Sequence, residues 1–227
     1  MKHYFLIPSV SSQKLNGNKP PLKTFNKEFP HKFRAELYNF YNKSLITKNR
    51  DPYRFIGCRG IEQKFWLNQW GDYLKNKTLC ALDRFESDLF KMLRQEPLNE
   101  DIWIFCPFHG MIQADELIPN YMISHDAFLP GCGFLKDYWH SKINREIKSK
   151  SHQAIFWNLL DNSWPNLDTS VINETILNIK FYEQTNTDLL IFKLVKLVRK
   201  NKPKNHQDSL KLLENFGATL HSDHYVL

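Results

Sequence analysis

The stretch Ile102-Trp103-Ile104-Phe105-Cys106 is a run of five apolar residues, and Pro107-Phe108-His109-Gly110 follows it directly. A short unbroken apolar run that ends at a proline and a glycine is typical of a buried β-strand that leads into a loop. The stretch therefore predicts an interior strand, with a loop that begins near His109.

Two other segments have the same character. Residues 3–7 (His-Tyr-Phe-Leu-Ile) stop at Pro8, and residues 154–160 (Ala-Ile-Phe-Trp-Asn-Leu-Leu) form a third apolar run. Elsewhere apolar residues recur every three or four positions, which predicts helices with one buried face. These helical stripes are Phe33, Leu37, Phe40, Tyr41 and Leu45; Phe85, Leu89, Met92 and Leu93; and Leu135, Trp139, Ile143 and Ile147.

The C-terminal part of the chain adds two further predictions. Residues 175–182 and 188–193, separated by a short polar segment, are expected to pair as an antiparallel hairpin. Residues 209–216 are expected to form a last helix, capped by Asp208 or Ser209 and ended by Gly217. Strands mixed with helices indicate one mixed α/β (α+β) domain over residues 1–227, with a central mixed sheet flanked by helices.

The composition excludes several classes of protein. The chain has 227 residues, of which 42% are hydrophobic and 24% charged, and this balance excludes disordered and fibrous proteins. No apolar run approaches the roughly 18 residues of a membrane-spanning helix. The apolar stretch at the N-terminus is too short for a secretory signal. We therefore expect a cytoplasmic protein with no membrane partner.

The chain has a formal net charge of +7, and its basic residues are concentrated in two parts. Residues 1–50 contain ten Lys or Arg but only Glu28 and Glu36 as acidic residues. A second cluster, without an acidic residue inside it, consists of Lys193, Lys196, Arg199, Lys200, Lys202 and Lys204. Such clusters favour contact with phosphates of a nucleic acid or a phosphorylated small molecule, although a lysine-rich solvated surface is the alternative.

Polar residues follow the predicted strands, where open α/β sheets place their ligands. We expect four of them to converge on one cleft and to be candidate catalytic residues: Lys14, His109, Glu116 and Tyr121. A family resemblance of residues 85–90, given below, adds Asp88 as the fifth candidate. His109 would act as a general acid or base, and Lys14 as a phosphate ligand or nucleophile. The alternatives are a surface lysine and a histidine that caps a strand end. His221 and His224 form no convincing metal site, and a cofactor stays unidentified.

A family resemblance emerges from the order of several short motifs. Residues 104–121 resemble the motif S-G-L-Y-G-x-L-R-P-L-D-x-x-x-P-Y of the YaaA peroxide-stress family, with matches at Gly110, Leu117 and Tyr121 and with Glu116 in place of the family's aspartate. Residues 85–90 resemble F-x-G-D-V-Y and keep Asp88. Three other segments follow in family order: Leu6-Ile-Pro-Ser with Lys14-Leu15, residues 135–143, and Asn158-Leu159.

The resemblance implies a YaaA-like fold with a basic cleft, sequence-independent binding of duplex DNA and a role in protection against oxidative stress. It also implies a helix-hairpin-helix-like element, which would fall near residues 200–217. The chain departs from the family at Gln113-Ala114 and Met122, where arginines and a proline are lost. Two alternatives therefore stay open: an enzyme that acts on a nucleobase, nucleoside or other small polar substrate, and a partner-binding protein.

Overall fold

Strands and helices are mixed along the part of the chain that the computed structural model describes. The described residues are 1–22, 31–46, 75–97, 100–121, 123, 127–129, 131–151, 154–160, 164, 167, 175–181, 186–221 and 224–227. The strands are β1 (Lys2–Pro8), β2 (Leu79–Cys80), β3 (Ile102–Cys106), β4 (Gly110–Gln113), β5 (Leu117–Ile118), β6 (Phe128–Leu129), β7 (Gly133–Phe134), β8 (Ala154–Asn158), β9 (Ile176–Lys180), β10 (Thr219–His221) and β11 (His224–Val226). The helices are α1 (His31–Ile46), α2 (Ala81–Arg84), α3 (Asp88–Leu93), α4 (Leu135–Lys150), α5 (Thr187–Asn201) and α6 (His206–Asn215).

The three predicted apolar strands lie side by side at the centre of one sheet. Its order is β10-β11-β9-β8-β1-β3-β4, in which β1 pairs in parallel with both β3 and β8. Strands β9 and β11 continue the parallel arrangement, while β4 and β10 are antiparallel and lie at the two edges. The predicted mixed α/β fold with a central mixed sheet is therefore confirmed.

Helices cover both faces of this sheet. Successive side chains of a strand point to opposite faces, so Tyr4 and His3 of β1 lie on opposite faces of the sheet. Tyr4 packs edge-on against Trp103, and Lys150 of α4 lies 5.7 Å from the centre of that indole ring. His3 instead contacts the carbonyl of Pro203, in the link between α5 and α6. Helices α4 and α5 thus belong to opposite layers. Among the described residues, no helix is long and apolar enough to cross a membrane.

The predicted hairpin is wrong in its second half. Residues 188–193 belong to helix α5 and not to a strand, because their apolar positions continue with helical spacing beyond residue 193. The buried residues of α5 are Ile191, Leu194, Val195 and Val198. The helix begins after Asn186, whose side chain accepts a hydrogen bond from the amide of Leu189 at 3.2 Å. Residues 183–185 of the predicted turn, and residue 182 at the end of the first predicted strand, lie outside the described residues.

The cap of the last helix also differs from the prediction. Helix α6 begins three residues earlier than predicted, and Asn205 is its N-cap instead of Asp208 or Ser209. The side chain of Asn205 accepts a hydrogen bond from the amide of Asp208 at 2.8 Å. Asparagine and serine are comparably good caps, so the sequence alone does not discriminate between these neighbouring positions.

Gly110 holds the turn between β3 and β4 against helix α4. Its φ angle is +67°, and a Cβ atom at this position would lie 2.6 Å from the indole ring of Trp139. The same indole donates a hydrogen bond to the carbonyl of Pro107 at 2.8 Å. Because the ring is held on both sides, it has no room to retreat from an added side chain.

We therefore predict that Gly110→Ala lowers the free energy of unfolding by about 3 kcal/mol, through a left-handed backbone and an overpacked indole. Gly133→Ala is the matched control. Its φ angle is also positive, at +89°, but no atom lies within 4 Å of the position that its Cβ would occupy, so only the backbone cost of about 1 kcal/mol remains. Urea denaturation measures both values, and equal losses would contradict the packing role of Trp139.

Candidate functional site

Three of the five predicted site residues lie together in the interior. His109 is 0% exposed and Tyr121 is 2% exposed, and the centres of their rings are 4.9 Å apart. Arg34 of α1, itself 1% exposed, donates a hydrogen bond from Nε to the backbone carbonyl of His109 at 2.8 Å. Its guanidinium also forms an ion pair with the carboxylate of Glu116. We call Arg34, Cys106, His109, Glu116 and Tyr121 the buried cluster.

Cys106 connects the buried cluster to the end of the sheet. Its thiol, at the end of β3, is hydrogen-bonded to the side chains of Tyr121 and Ser9. Burial raises the pKa of Cys106 to about 12, so the thiol is protonated at neutral pH. A protonated, enclosed thiol is a poor nucleophile. The thiol of Cys106 therefore acts in the folded protein as a buried polar group of this cluster.

The charged groups of the other two predicted residues lie at the surface. Lys14 is exposed, and it is the backbone of this residue that is held: its amide donates to the carbonyl of Arg84 at 2.9 Å. The carboxylate of Asp88 is 75% exposed and pairs with Lys91 at 2.9 Å. The structure thus brings His109, Glu116 and Tyr121 together and does not add the ammonium of Lys14 or the carboxylate of Asp88 to them. Their catalytic roles stay predictions.

Sequence reasoning missed Arg34, on which the buried cluster depends. A lone arginine on an amphipathic helix is usually exposed, and no motif distinguishes Arg34 from the other basic residues of the N-terminal region. The one available signal is its spacing of three residues from Leu37, which places both on the buried face of α1. Much of the basic N-terminal region, including residues 23–30 and 47–50, lies outside the described residues.

The second predicted site, the basic cluster of residues 193–204, divides into two groups. Lys196 pairs with Glu96 at 3.0 Å, and Arg199 forms a two-pronged ion pair with Asp101. The four other members are exposed, and their ammonium groups form no ion pair with a described residue: Lys193, Lys200, Lys202 and Lys204. The last three surround the bend between α5 and α6, and we call them the basic corner.

The backbone of the basic corner is unusual at Lys202. This residue ends α5 with a φ angle of +46°, and its amide donates to the carbonyl of Val198 at 2.8 Å. Glycine normally occupies such a left-handed position, since other residues adopt it at a cost. Lys202 therefore adopts this left-handed conformation at a conformational cost.

Amides at the N-terminus of α6, beside the basic corner, already donate hydrogen bonds to side chains of the protein. The amide of Lys204 donates to the carboxylate of Asp208 at 3.2 Å, and the amide of Asp208 donates to Asn205. Asp208 also places a negative charge in the first turn. A phosphate at this corner would therefore contact lysine ammonium groups and not the free end of the helix.

His3 ties the basic corner to the sheet. Its Nδ1 atom accepts a hydrogen bond from the indole of Trp157 at 3.1 Å, and its Nε2 atom donates to the carbonyl of Pro203 at 2.8 Å. This pattern requires the neutral imidazole, because a protonated ring could not accept from Trp157. Burial lowers the pKa of His3 from its ordinary value of 6.5.

Two histidines near the C-terminus lie opposite each other. His221 and His224 face each other across β10 and β11, with ring centres 6.4 Å apart, while residues 222–223 between them lie outside the described residues. Within the described part of the chain, no three His, Cys, Asp or Glu side chains are grouped in a way that could hold a metal ion.

A scan against models of known protein families finds no match to this chain, and a search of curated proteins finds no significant relative. The resemblance to the YaaA family is therefore carried by the short motifs alone and stays a prediction. Function has to be inferred from the geometry of the described residues.

We predict that Arg34→Met lowers the free energy of unfolding by about 3 kcal/mol, because Glu116 and the carbonyl of His109 lose their partner in the interior. Arg145→Met, on the exposed face of α4, is the control and should cost less than about 0.5 kcal/mol. Chemical denaturation of the two variants tests the difference. A loss for Arg34→Met no larger than that of the control would contradict the role assigned to Arg34.

A second prediction concerns pH. Since the folded-state pKa of His3 lies below 6.5, its stabilising contribution is present above about pH 6.5 and is lost as the pH falls through the folded-state pKa. His3→Gln lacks this titration. The melting temperature of the unmodified protein should therefore fall more steeply between about pH 7.5 and pH 5.5 than that of the variant. Parallel curves would show that the pKa of His3 is the same in the folded and unfolded states.

Proposed function

We propose that the protein binds duplex DNA without sequence preference, through contacts of the basic corner with backbone phosphates. The observation that carries the proposal is the exposure of Lys200, Lys202 and Lys204 within five residues, with ammonium groups that form no ion pair with a described residue. Lysines in such an arrangement interact with phosphate as point charges and release counterions on binding. The resemblance to the YaaA family, which implies DNA binding, supports the same proposal.

A stabilising role in the helix accounts for only part of this charge. Cations near the C-terminus of a helix favour its dipole by about 0.3–1 kcal/mol, and only within the last turn. Lys200 lies in that turn, whereas Lys204 lies beyond the end of α5. Lys202 also occupies a position that glycine would fill at lower conformational cost. Charge at these two positions therefore favours a function outside the helix.

The alternative, an enzyme that uses the five predicted site residues, has less support. A general acid or base must reach its substrate, but His109 is 0% exposed. The charged groups of Lys14 and Asp88 lie at the surface, apart from the buried ring of His109. Burial thus favours a structural role for His109, and DNA binding is the stronger proposal. The role in oxidative stress that the resemblance implies stays a prediction.

The salt dependence of binding tests the proposal. The double variant Lys202→Gln with Lys204→Gln should weaken binding of a short duplex, and the slope of log K against log salt should become shallower by about 0.9 for each phosphate that the variant no longer contacts. Lys148→Gln with Lys150→Gln removes the same charge from the opposite layer and is the matched control. Fluorescence anisotropy gives both slopes. Equal effects of the two double variants, or no binding by the unmodified protein at low salt, would refute the proposal.

The variant Lys202→Gly tests whether DNA binding and protein stability change independently. Glycine accepts the left-handed conformation of residue 202 without strain, so the melting temperature should stay the same or rise. Binding should nevertheless weaken, with a slope reduced by about 1. A variant that is more stable but binds DNA as well as the unmodified protein would show that residue 202 makes no phosphate contact.

A further inference from the structure

The order of strands defines a switch point between β1 and β8. Strand β3 follows β1 in the chain among the parallel strands and lies on one side of it, whereas β8 and then β9 lie on the other side. The connections that leave the carboxyl ends of β1 and β8 therefore diverge. In open α/β sheets this divergence creates a crevice outside the strand ends, and ligands bind there.

A crevice of about 550 Å³ lies at this position. Its walls include Pro8, Ser9 and Val10 after β1, and Leu159 and Leu160 after β8. The beginnings of α3 and α5 close the far side, with the following lining residues: Ser87, Leu89, Phe90, Thr187, Asp188 and Ile191. The volume is within the range of about 300–1,000 Å³ that is typical of sites for small molecules.

Two polar side chains that line the crevice can form further hydrogen bonds. The hydroxyl of Ser87 is buried without a hydrogen-bond partner among the described residues. The carboxylate of Asp188 accepts a hydrogen bond from the amide of Leu89 at 3.0 Å through Oδ2, and its Oδ1 atom accepts none from the described part of the chain. A buried hydroxyl without a partner is costly, so a ligand that reaches Ser87 and supplies a partner would gain affinity there.

The charges of the crevice point to an uncharged ligand. Asp188 and Lys180 both line the crevice, so its two charged side chains carry no net charge together. The carboxylate lies in the first turn of α5, where an anionic ligand would otherwise be attracted. A phosphate would therefore meet the negative charge of Asp188 at the same place.

We propose that the crevice binds a nucleoside. Phe181, a partly buried lining residue, supplies an apolar ring surface to a flat base. A ribose has two neighbouring hydroxyl groups that can donate to Asp188 and bond with Ser87, as acidic residues bind ribose in other doubly wound sheets. The proposal does not depend on DNA binding, because the crevice and the basic corner share no residue.

An NMR titration of the ¹⁵N-labelled full chain with adenosine tests the proposal. Adenosine should shift amide signals of Val10, Leu89, Leu160 and Asp188, and not those of the basic corner. Deoxyadenosine, which lacks one ribose hydroxyl, should bind at least about tenfold more weakly. Adenosine 5′-monophosphate should also bind more weakly than adenosine. Absence of localised shifts at about 5 mM adenosine, or tighter binding of the monophosphate, would overturn the proposal.

Two variants identify the contacts. Asp188→Asn keeps an oxygen for the amide of Leu89 but loses the charge, and it should reduce adenosine affinity about tenfold and abolish the preference over deoxyadenosine. Asp137→Asn, in the first turn of α4 on the opposite layer, is the matched control and should bind normally. Ser87→Ala should bind more weakly with an unchanged or higher melting temperature. Normal adenosine binding by both crevice variants would overturn the assignment of Ser87 and Asp188.

Discussion

The two-sided pairing of β1 is the constraint on which the rest of the structure depends. Phe5, Leu6 and Ile7 are each 0% exposed, and the strand exchanges hydrogen bonds with β3 on one side and β8 on the other. These partners follow about a hundred and a hundred and fifty residues later in the chain, so their pairing carries a loop-closure cost that burial of apolar surface has to offset. A strand enclosed on both edges and both faces has no tolerance for a shift of register.

The central position of β1 also determines where both candidate sites lie. Its carboxyl end leads to Ser9 in the crevice, while His3 near its amino end contacts Pro203 in the bend between α5 and α6. Helix α5 runs between the same two ends, with Asp188 in its first turn and Lys200 in its last. Acidic residues at the beginning of a helix and basic residues at its end are the favourable arrangement for its dipole. The acidic residue of the crevice and the basic residue of the basic corner therefore each lie at the end of α5 where the helix dipole stabilises that charge.

The sequence was sufficient for the centre of the fold and insufficient for its interior polar contacts. The apolar runs at β1, β3 and β8 are unambiguous, because each contains at least three consecutive buried apolar residues. The first residues of α5 resemble a strand, because the helical spacing of its apolar side chains is evident only from Leu194 onward. Only part of the buried cluster was predictable from the sequence. His109 and Tyr121 follow a strand, but their burial against Arg34 depends on tertiary packing that leaves no local signal.

The ion pairs of α5 explain why only part of its positive charge is available to a partner. Arg199 binds Asp101 immediately before β3, and Lys196 binds Glu96 after α3, so these two cations fix the helix against its neighbours. At the other end, Asp188 accepts a hydrogen bond from the amide of Leu89. Fifteen residues of helix separate the two ends by about 22 Å. These contacts hold both ends of α5 against neighbouring elements. Ligands at the crevice and at the basic corner would therefore occupy distinct places at opposite ends of one helix, and coupling between them would require these contacts to change.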